Sequence, residues 1–398
     1  MGAALPRSFL TCLLLSLATA AGVASAAPTP ASCKAAADYS ADLSGRALLV
    51  LHDGKVVFER YDNGWRPGLP HPLASGTKSF TGVVAAAAIE DGLIPGWDAL
   101  VSDTIAAWAA DELKRQITVR HLLELSSGLD PADPLLGGRG GGRLLGAGAR
   151  ARQERLGGDR RPPPPTDHFA AALELPMTGR PGGQFAYGPS HFYAFGAYLE
   201  SRLAAAGHPQ PTFREYFEAR LAEPIGLHVS FWAFDRSGKP DLPGGMLLTA
   251  REWAKFGEFV RLGGAVRQDD GTLRQVVRRD VMDALFVPSA TNPVYGKTWW
   301  LPREAGDAFP AAGGPGELGG DDRGPAGRLR RQMMREKRGP LLDPDGREVR
   351  VWLAAGLGNQ NLIILPDHGV VIVRFAEATP RGLAYSPQTL VREVMGWR

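Results

Sequence analysis

"LASGTKSFTG", Leu73–Gly82, sets a serine and a lysine three residues apart at the head of a helix-like run. From Ser75 onward, Phe80, Val83, Val84, Ala87 and Ala88 fall on one helical face, and Gly92 with Pro95 ends the run. If Ser75 begins this helix, Lys78 lies on the same face and points its amine back toward the hydroxyl. Unpaired N–H groups at a helix start favour an alkoxide or oxyanion there. A lysine partly desolvated beside such potential can lose its proton, and a neutral amine can accept one from serine. The competing reading makes Ser75 a plain N-cap and Lys78 a solvated first-turn residue. Spacing alone does not choose between them. With 17 serines and 8 lysines in 398 residues, chance supplies about a third of an S-x-x-K per chain.

Outward from this stretch, the flanks read as strand. "RALLVLHDGKVVFERY", Arg46–Tyr61, has two β-rich runs around Asp53-Gly54, a pair suited to a tight hairpin turn. "NLIILPDHGVVIVRFA" has two more around Asp367-His368-Gly369. Between these ends the patterns are helical. "VRHLLELSSGL", Val119–Leu129, reads as a short helix stopped by Gly128, and a longer one runs from about His191 to Ala206. "PTFREYFEARLAEPIGL" and "TAREWAKFGEFVRLGG" each close at glycine, and "SPQTLVREVMGW" is a closing helix. The expected architecture is α+β: one antiparallel sheet built from both termini (about 40–74 and 290–398), flanked by helices, with a helical part inserted at about 75–289. Two stretches, 135–165 and 304–340, are Gly/Arg/Pro-rich and read as flexible surface insertions. The basic run Arg328–Arg338 reads as a solvated segment or as a contact for anionic polymers.

Composition narrows the function classes. At 44% hydrophobic and 22% charged residues the chain is globular in type, and a net charge of +3 implies no nucleic-acid partner. Residues 1–26 read as an export signal: Arg7, the apolar "FLTCLLLSLATAAGVA", then small residues at Ala24–Ala26. The expected mature chain is therefore periplasmic or extracellular, with no stable membrane span. Cys33 then stands alone, so no internal disulfide is expected. There is no H-E-x-x-H, no phosphate-loop motif and no G-x-S-x-G elbow. Without that elbow, a Ser-His-Asp triad using His71, His121 or His191 is the weaker rival.

These segments together resemble the serine β-lactamase/penicillin-binding-protein superfamily. The resemblance is closest to the branch holding class C β-lactamases, related esterases, D-amino-acid peptidases and oligoamide hydrolases. "LASGTKSFTG" resembles the nucleophile motif, and "ITVRHLLELSSGLDP" the helical segment ending in S-S-G-L. "PGGQFAYGPSHFYAFGAYLE", Pro181–Glu200, resembles the second motif, Y-x-N or Y-x-S. "LPGGMLLTAREWAKFGEF" is similar to the Gly-Gly loop and helix, and "VYGKTWWLP" to the Y-G-x-x-W-W strand. "AAGLGNQNLIILP", Ala354–Pro366, stands where the third motif belongs. The segments come in the family's order over about residues 40–398, so 35–398 is read as one catalytic domain.

The resemblance implies roles position by position. Ser75 would be the acylated nucleophile, Lys78 would tune its proton and Tyr187 would be the partner base. The oxyanion hole would use the backbone N–H of Ser75 and one near Gly356 and Leu357. No metal or cofactor is implied. Two departures bear on substrate. Pro189 stands where the second motif has an amide or hydroxyl, with Ser190 as a possible substitute. The third motif reads Ala354-Ala355-Gly356, with no basic residue to grip a substrate carboxylate. That argues for a small-molecule ester, amide or peptide-like substrate over a true β-lactamase or D,D-carboxypeptidase activity. Gln360 is a candidate polar contact and Trp299 a candidate apolar wall; the alternative for the Trp299-Trp300 pair is one core and one surface aromatic. The alternative function is a penicillin-recognising or catalytically idle binding protein on the same fold.

Overall fold

The structure, a computed structural model, describes residues 27–131, 166–302, 341–377 and 385–397. The expected export signal at 1–26 and the two insertions at 135–165 and 304–340 lie outside the described residues.

Five antiparallel strands form the main sheet: β1 (Gly45–His52), β2 (Lys55–Tyr61), β8 (Trp352–Gly356), β9 (Gln360–Leu365) and β10 (Val370–Ala376). Their spatial order is β2-β1-β10-β9-β8. N-terminal strands thus pair with C-terminal ones, Leu49 opposite Val373 and Leu51 opposite Val371. Both hairpins form where the turn residues require them. Asp53 and Gly54 take φ of 48° and 80°, and Gly369 takes 68°; these are left-handed conformations that favour Asx and glycine.

The central strands are apolar on both sides because helices cover both faces. On one face lie α1 (Pro30–Asp42) and α6 (Pro387–Met395). Cys33, Ala36 and Ala37 of α1 and Leu390, Val391 and Val394 of α6 bury Leu48, Val50, Ile363, Leu365 and Ile372. Helix α1, not among the elements expected from sequence, is capped by Thr29 in a capping box with Ser32 and opened by Pro30. On the other face, α5 (Ala250–Arg261) packs on Leu49, Leu51, Leu362, Ile364, Val371 and Val373, and α2 (Lys78–Glu90) lies against α5, with Phe80 stacked on Phe256 at 3.8 Å. A Cβ at Gly257 of α5 would stand 2.6 Å from Leu362 and 2.7 Å from Val371, so this glycine lets helix and sheet touch.

The inserted part holds α3 (Val119–Leu123) and α4 (Ser190–Ala205). A small sheet in the order β3-β5-β4 joins His71–Pro72, Met246–Leu248 and Phe231–Trp232, and a ribbon pairs β6 (Ala265–Arg267) with β7 (Leu273–Gln275). Gly128 does not stop α3. The helix ends at Leu123, and Leu125 takes the left-handed cap at φ 57°. Ser126 N–H bonds the His121 carbonyl and Leu125 N–H that of Leu122, the paired bonds of a Schellman cap. Leu125 is fully buried, and that burial offsets the strain of a branched residue at a glycine-type position. The "VYGKTWWLP" segment forms no full strand; it touches the sheet through a single bridge, Trp300 with Leu353 of β8.

Candidate active site

Ser75 lies on a 3₁₀ turn, Ala74–Thr77, that runs into α2. The helix therefore begins at Lys78, not at Ser75, and no side chain caps it. In a 3₁₀ turn residues three apart eclipse, which draws serine and lysine together more directly than an α-turn would. Ser75 is half-buried, and Ala74 just before it takes a φ of 47°, unusual for a residue with a Cβ. Three contacts fix the turn. Leu73 N–H bonds the Met246 carbonyl at 2.9 Å, and Met246 N–H bonds the Thr77 hydroxyl at 3.3 Å. Gly76 lies under Trp253, 2.7 Å from where a Cβ would stand.

Lys78 is 6% exposed, and its Nζ donates to Ser75 Oγ at 2.9 Å and to the Pro243 carbonyl at 2.7 Å. Its remaining surroundings are aromatic: the rings of Tyr187 and Phe192 centre 5.1 and 5.5 Å from Nζ. Among the described residues no carboxylate pairs with it. Pro243 lies in the Gly-Gly loop segment that the sequence singled out, but a carbonyl acceptor carries no side-chain signature.

Tyr187 reaches the site from the loop before α4. Its ring stacks on Trp300 (5.9 Å, 24°), and Phe185 and Tyr295 close an aromatic group around that pair. Burial, and then the neighbouring Tyr187, push the Tyr295 hydroxyl well above the usual phenol range, so it stays protonated. Gly188 abuts Pro131, whose carbonyl oxygen would be 2.3 Å from a Cβ there.

The third segment meets Ser75 from the sheet edge. Gly356 ends β8, and a Cβ on it would stand 2.0 Å from the Leu73 carbonyl oxygen. The strand end thus sits against the residues leading into Ser75. Leu353 exchanges both backbone bonds with Trp300 on the outer side, while Gly356 pairs inward with Gln360. By alternation the peptide after Gly356 turns its N–H, that of Leu357, to the outer edge, which is unpaired there among the described residues. Leu357 is 38% exposed.

Three expected site residues fall elsewhere. Trp299 is fully buried between Phe256 and Phe286, in the core; the tryptophan at the site is its neighbour Trp300. One residue along an extended chain reverses the side, and identical residue types hid which was which. Gln360 is 3% exposed and its amide is taken up by the backbone of Leu357, Gly358 and Ala376. Ser190 is fully buried and its Oγ has no hydrogen-bond partner among the described residues, Lys78 and Ser75 included, so it does not take the place of the polar group absent at Pro189. Ala354 and Ala355 are buried, and Lys297 is held inside against Glu124 at 3.2 Å. Burial lowers the Lys297 amine, opposed by Glu124. His191 forms no triad: it is buried, Nδ1 meets Ser127 Oγ at 2.9 Å and Nε2 meets the Ala186 carbonyl at 2.8 Å. Among the described residues no group of three His, Cys, Asp or Glu side chains could hold a metal ion, and no helix is long and apolar enough to cross a membrane.

The family model described as Beta-lactamase matches residues 33–394. No curated protein matches the sequence. Solved structures share the fold at low identity. A penicillin-binding protein homologue from Caulobacter crescentus aligns with TM-score 0.60 at 14% identity, over 92% of this chain and 97% of that one. EstCE1, a hydrolase with promiscuous acyltransferase activity, aligns at 0.57 and 15%, over 92% and 98%. A D-stereospecific amidohydrolase from a Streptomyces species aligns at 0.55 and 15%, over 91% and 97%.

Proposed function

Because the chain belongs to the beta-lactamase family of serine hydrolases, we propose that it is an exported enzyme that forms an acyl-enzyme on Ser75 and hydrolyses an ester or amide. The observation that carries this reading is the buried Lys78 amine 2.9 Å from Ser75 Oγ with no carboxylate partner among the described residues. Ser75 Oγ attacks the substrate carbonyl carbon, and its proton passes to the Lys78–Tyr187 pair. Charge collects on the carbonyl oxygen, where the N–H groups of Ser75 and Leu357 receive it. Collapse expels the alcohol or amine, which takes the proton. Water then attacks the acyl-enzyme by the reverse use of the same groups.

The substrate class follows from what the walls lack. Ala354 and Ala355 offer no cation for a substrate carboxylate, and the visible lining is aromatic, Tyr187 against Trp300. Neutral acyl groups with apolar surface fit this better than penicillins or D-alanyl peptides, which carry an obligatory carboxylate.

Labelling with a fluorophosphonate, located by peptide mass spectrometry, tests the reading. Label on Ser75 is expected in the wild type and none in Ser75→Ala. Lys78→Ala should slow labelling by at least about 100-fold and Tyr187→Phe by about 10- to 1000-fold. Folded protein that takes no label at Ser75 would refute the nucleophile and favour the idle binding protein. The intact mass after expression in an exporting host reports whether residues 1–26 are removed, as export requires; a retained leader would count against it.

A further inference from the structure

The turn that carries Leu357 is held by two buried side chains with no contact to the Ser75–Lys78 pair. Arg374 of β10 is fully buried, and among the described residues no carboxylate neutralises it. Its guanidinium lies 3.9 Å over the Tyr385 ring. Its donors go to oxygens: Nε to Ser40 Oγ at 2.9 Å, Nη2 to the Leu43 carbonyl at 2.8 Å, and Nη1 to the Asn359 carbonyl at 3.0 Å. The first two lie at the C-terminal end of α1, where unpaired carbonyls and the helix dipole favour a cation. The third is in the β8–β9 turn. Burying a guanidinium this way is costly, and an apolar side chain would fill the same space without that cost.

Gln360 holds the same turn from its other side. The backbone pairing of β9 with β10 ends at Asn361 opposite Arg374. One residue further, the Gln360 side-chain amide takes the place of the missing ladder. Oε1 accepts from Ala376 N–H at 2.9 Å and Nε2 donates to the Ala376 carbonyl at 2.6 Å. The same Nε2 lies 3.2 Å from the carbonyls of Leu357 and Gly358. Gly358 and Asn359 both take positive φ in this turn, and both side chains bond its backbone, Gln360 at the Leu357 and Gly358 carbonyls and Arg374 at the Asn359 carbonyl.

We propose that Arg374 and Gln360 are positioning residues that fix the Leu357–Gln360 turn so that the Leu357 N–H stays aimed at the oxyanion of the reacting acyl group. The inference rests on the serine-hydrolase reading. An oxyanion donor acts only where charge develops, so loosening it should lower kcat and leave KM nearly unchanged. A side chain that merely stabilises the sheet would lower the melting temperature and leave kcat per folded molecule intact.

The test uses 4-nitrophenyl butyrate turnover and fluorophosphonate labelling on the wild type, Gln360→Met, Gln360→Glu and Arg374→Lys. Gln360→Met keeps the volume and removes both halves of the amide. Gln360→Glu keeps the Oε1 acceptor and, when ionised, loses the donor to Leu357, Gly358 and Ala376. For both Gln360 variants kcat is expected to fall about 10- to 100-fold with KM within about two-fold. Arg374→Lys, which can still reach one carbonyl, should fall less. If Gln360→Met does not fold, Gln360→Glu and Arg374→Lys carry the same comparison. Wild-type labelling at Ser75 together with unchanged kcat in the folded variants overturns the positioning role alone. A wild type that neither labels nor turns over removes the underlying reading, and the inference falls with it.

Discussion

A methyl group at Gly356 would stand 2.0 Å from the Leu73 carbonyl oxygen and 3.2 Å from Ala74 Cβ. The nearer atom is backbone, so the strand end or the Ser75 turn would have to move. Gly356→Ala is therefore expected to cut turnover at least about 10-fold, because a displacement of about 1 Å in a catalytic geometry costs that much or more; the assay is turnover with circular dichroism as the fold control, and wild-type activity would refute the close contact. His191 gives a second residue-scale test. Burial lowers its imidazole from 6.5 to about 4, opposed by its bond to the Ala186 carbonyl. The unfolded chain then takes up a proton near pH 6.5 while the folded one resists it. Stability from this group is complete above about pH 6.5, is lost as pH falls toward 4, and levels off below. The span corresponds to on the order of 3 kcal/mol. Urea melts at pH 7.5 and 4.5 measure it, and His191→Gln should flatten the slope; an unchanged slope would mean that other groups carry it. That Ser75, Lys78 and Tyr187 come together was legible in the sequence because the chemistry proposed for them needs fixed residue types at short spacing. Trp299, Gln360 and Ser190 were misplaced because which way a side chain points in an irregular segment depends on partners far along the chain.

At the scale of elements, turn chemistry and periodicity carried most of the reading. Asp53-Gly54 and Gly369 mark hairpins because their positive φ is cheap for those residues. The run through Ala87 and Ala88 is a helix, and Gly92 leaves it at φ 74°. Two features escaped. Leu125 ends α3 in a conformation that glycine usually takes, and only its burial makes that tenable. Thr29, Pro30 and Ser32 mark the start of α1 locally, but its small residues give little periodicity, and its buried face is set by the sheet it covers. Gly257 shows how an element can depend on an absent side chain. Gly257→Val would drive branched carbons into Leu362 and Val371 and is expected to destabilise the fold by about 1–3 kcal/mol. A urea midpoint unmoved from wild type would show that α5 can lift off the sheet without loss.

For the molecule as a whole, the sheet joins N-terminal strands to C-terminal ones and carries a buried cluster on each face. α1 and α6 cover the same face, and Ser32 Oγ donates to the Val394 carbonyl between them at 2.7 Å. Ending the chain before Ser386 would uncover Ile363, Leu365 and Ile372 together and is expected to abolish cooperative unfolding, as followed by tryptophan fluorescence in urea; a sharp transition in the truncated chain would show that α1 suffices. The sequence by itself determined the fold class, the two hairpins, the principal helices and the three side chains proposed for chemistry. All of these rest on local rules: turn conformations, side-chain periodicity, and the short spacing that holds serine to lysine. Tertiary structure alone decided that Ser75 sits on a 3₁₀ turn ahead of its helix, that Trp300 rather than Trp299 meets Tyr187, and that Arg374 and Gln360 hold the Leu357 turn. Those are contacts between residues distant in the chain, fixed by strand register and close packing, and no local pattern encodes them.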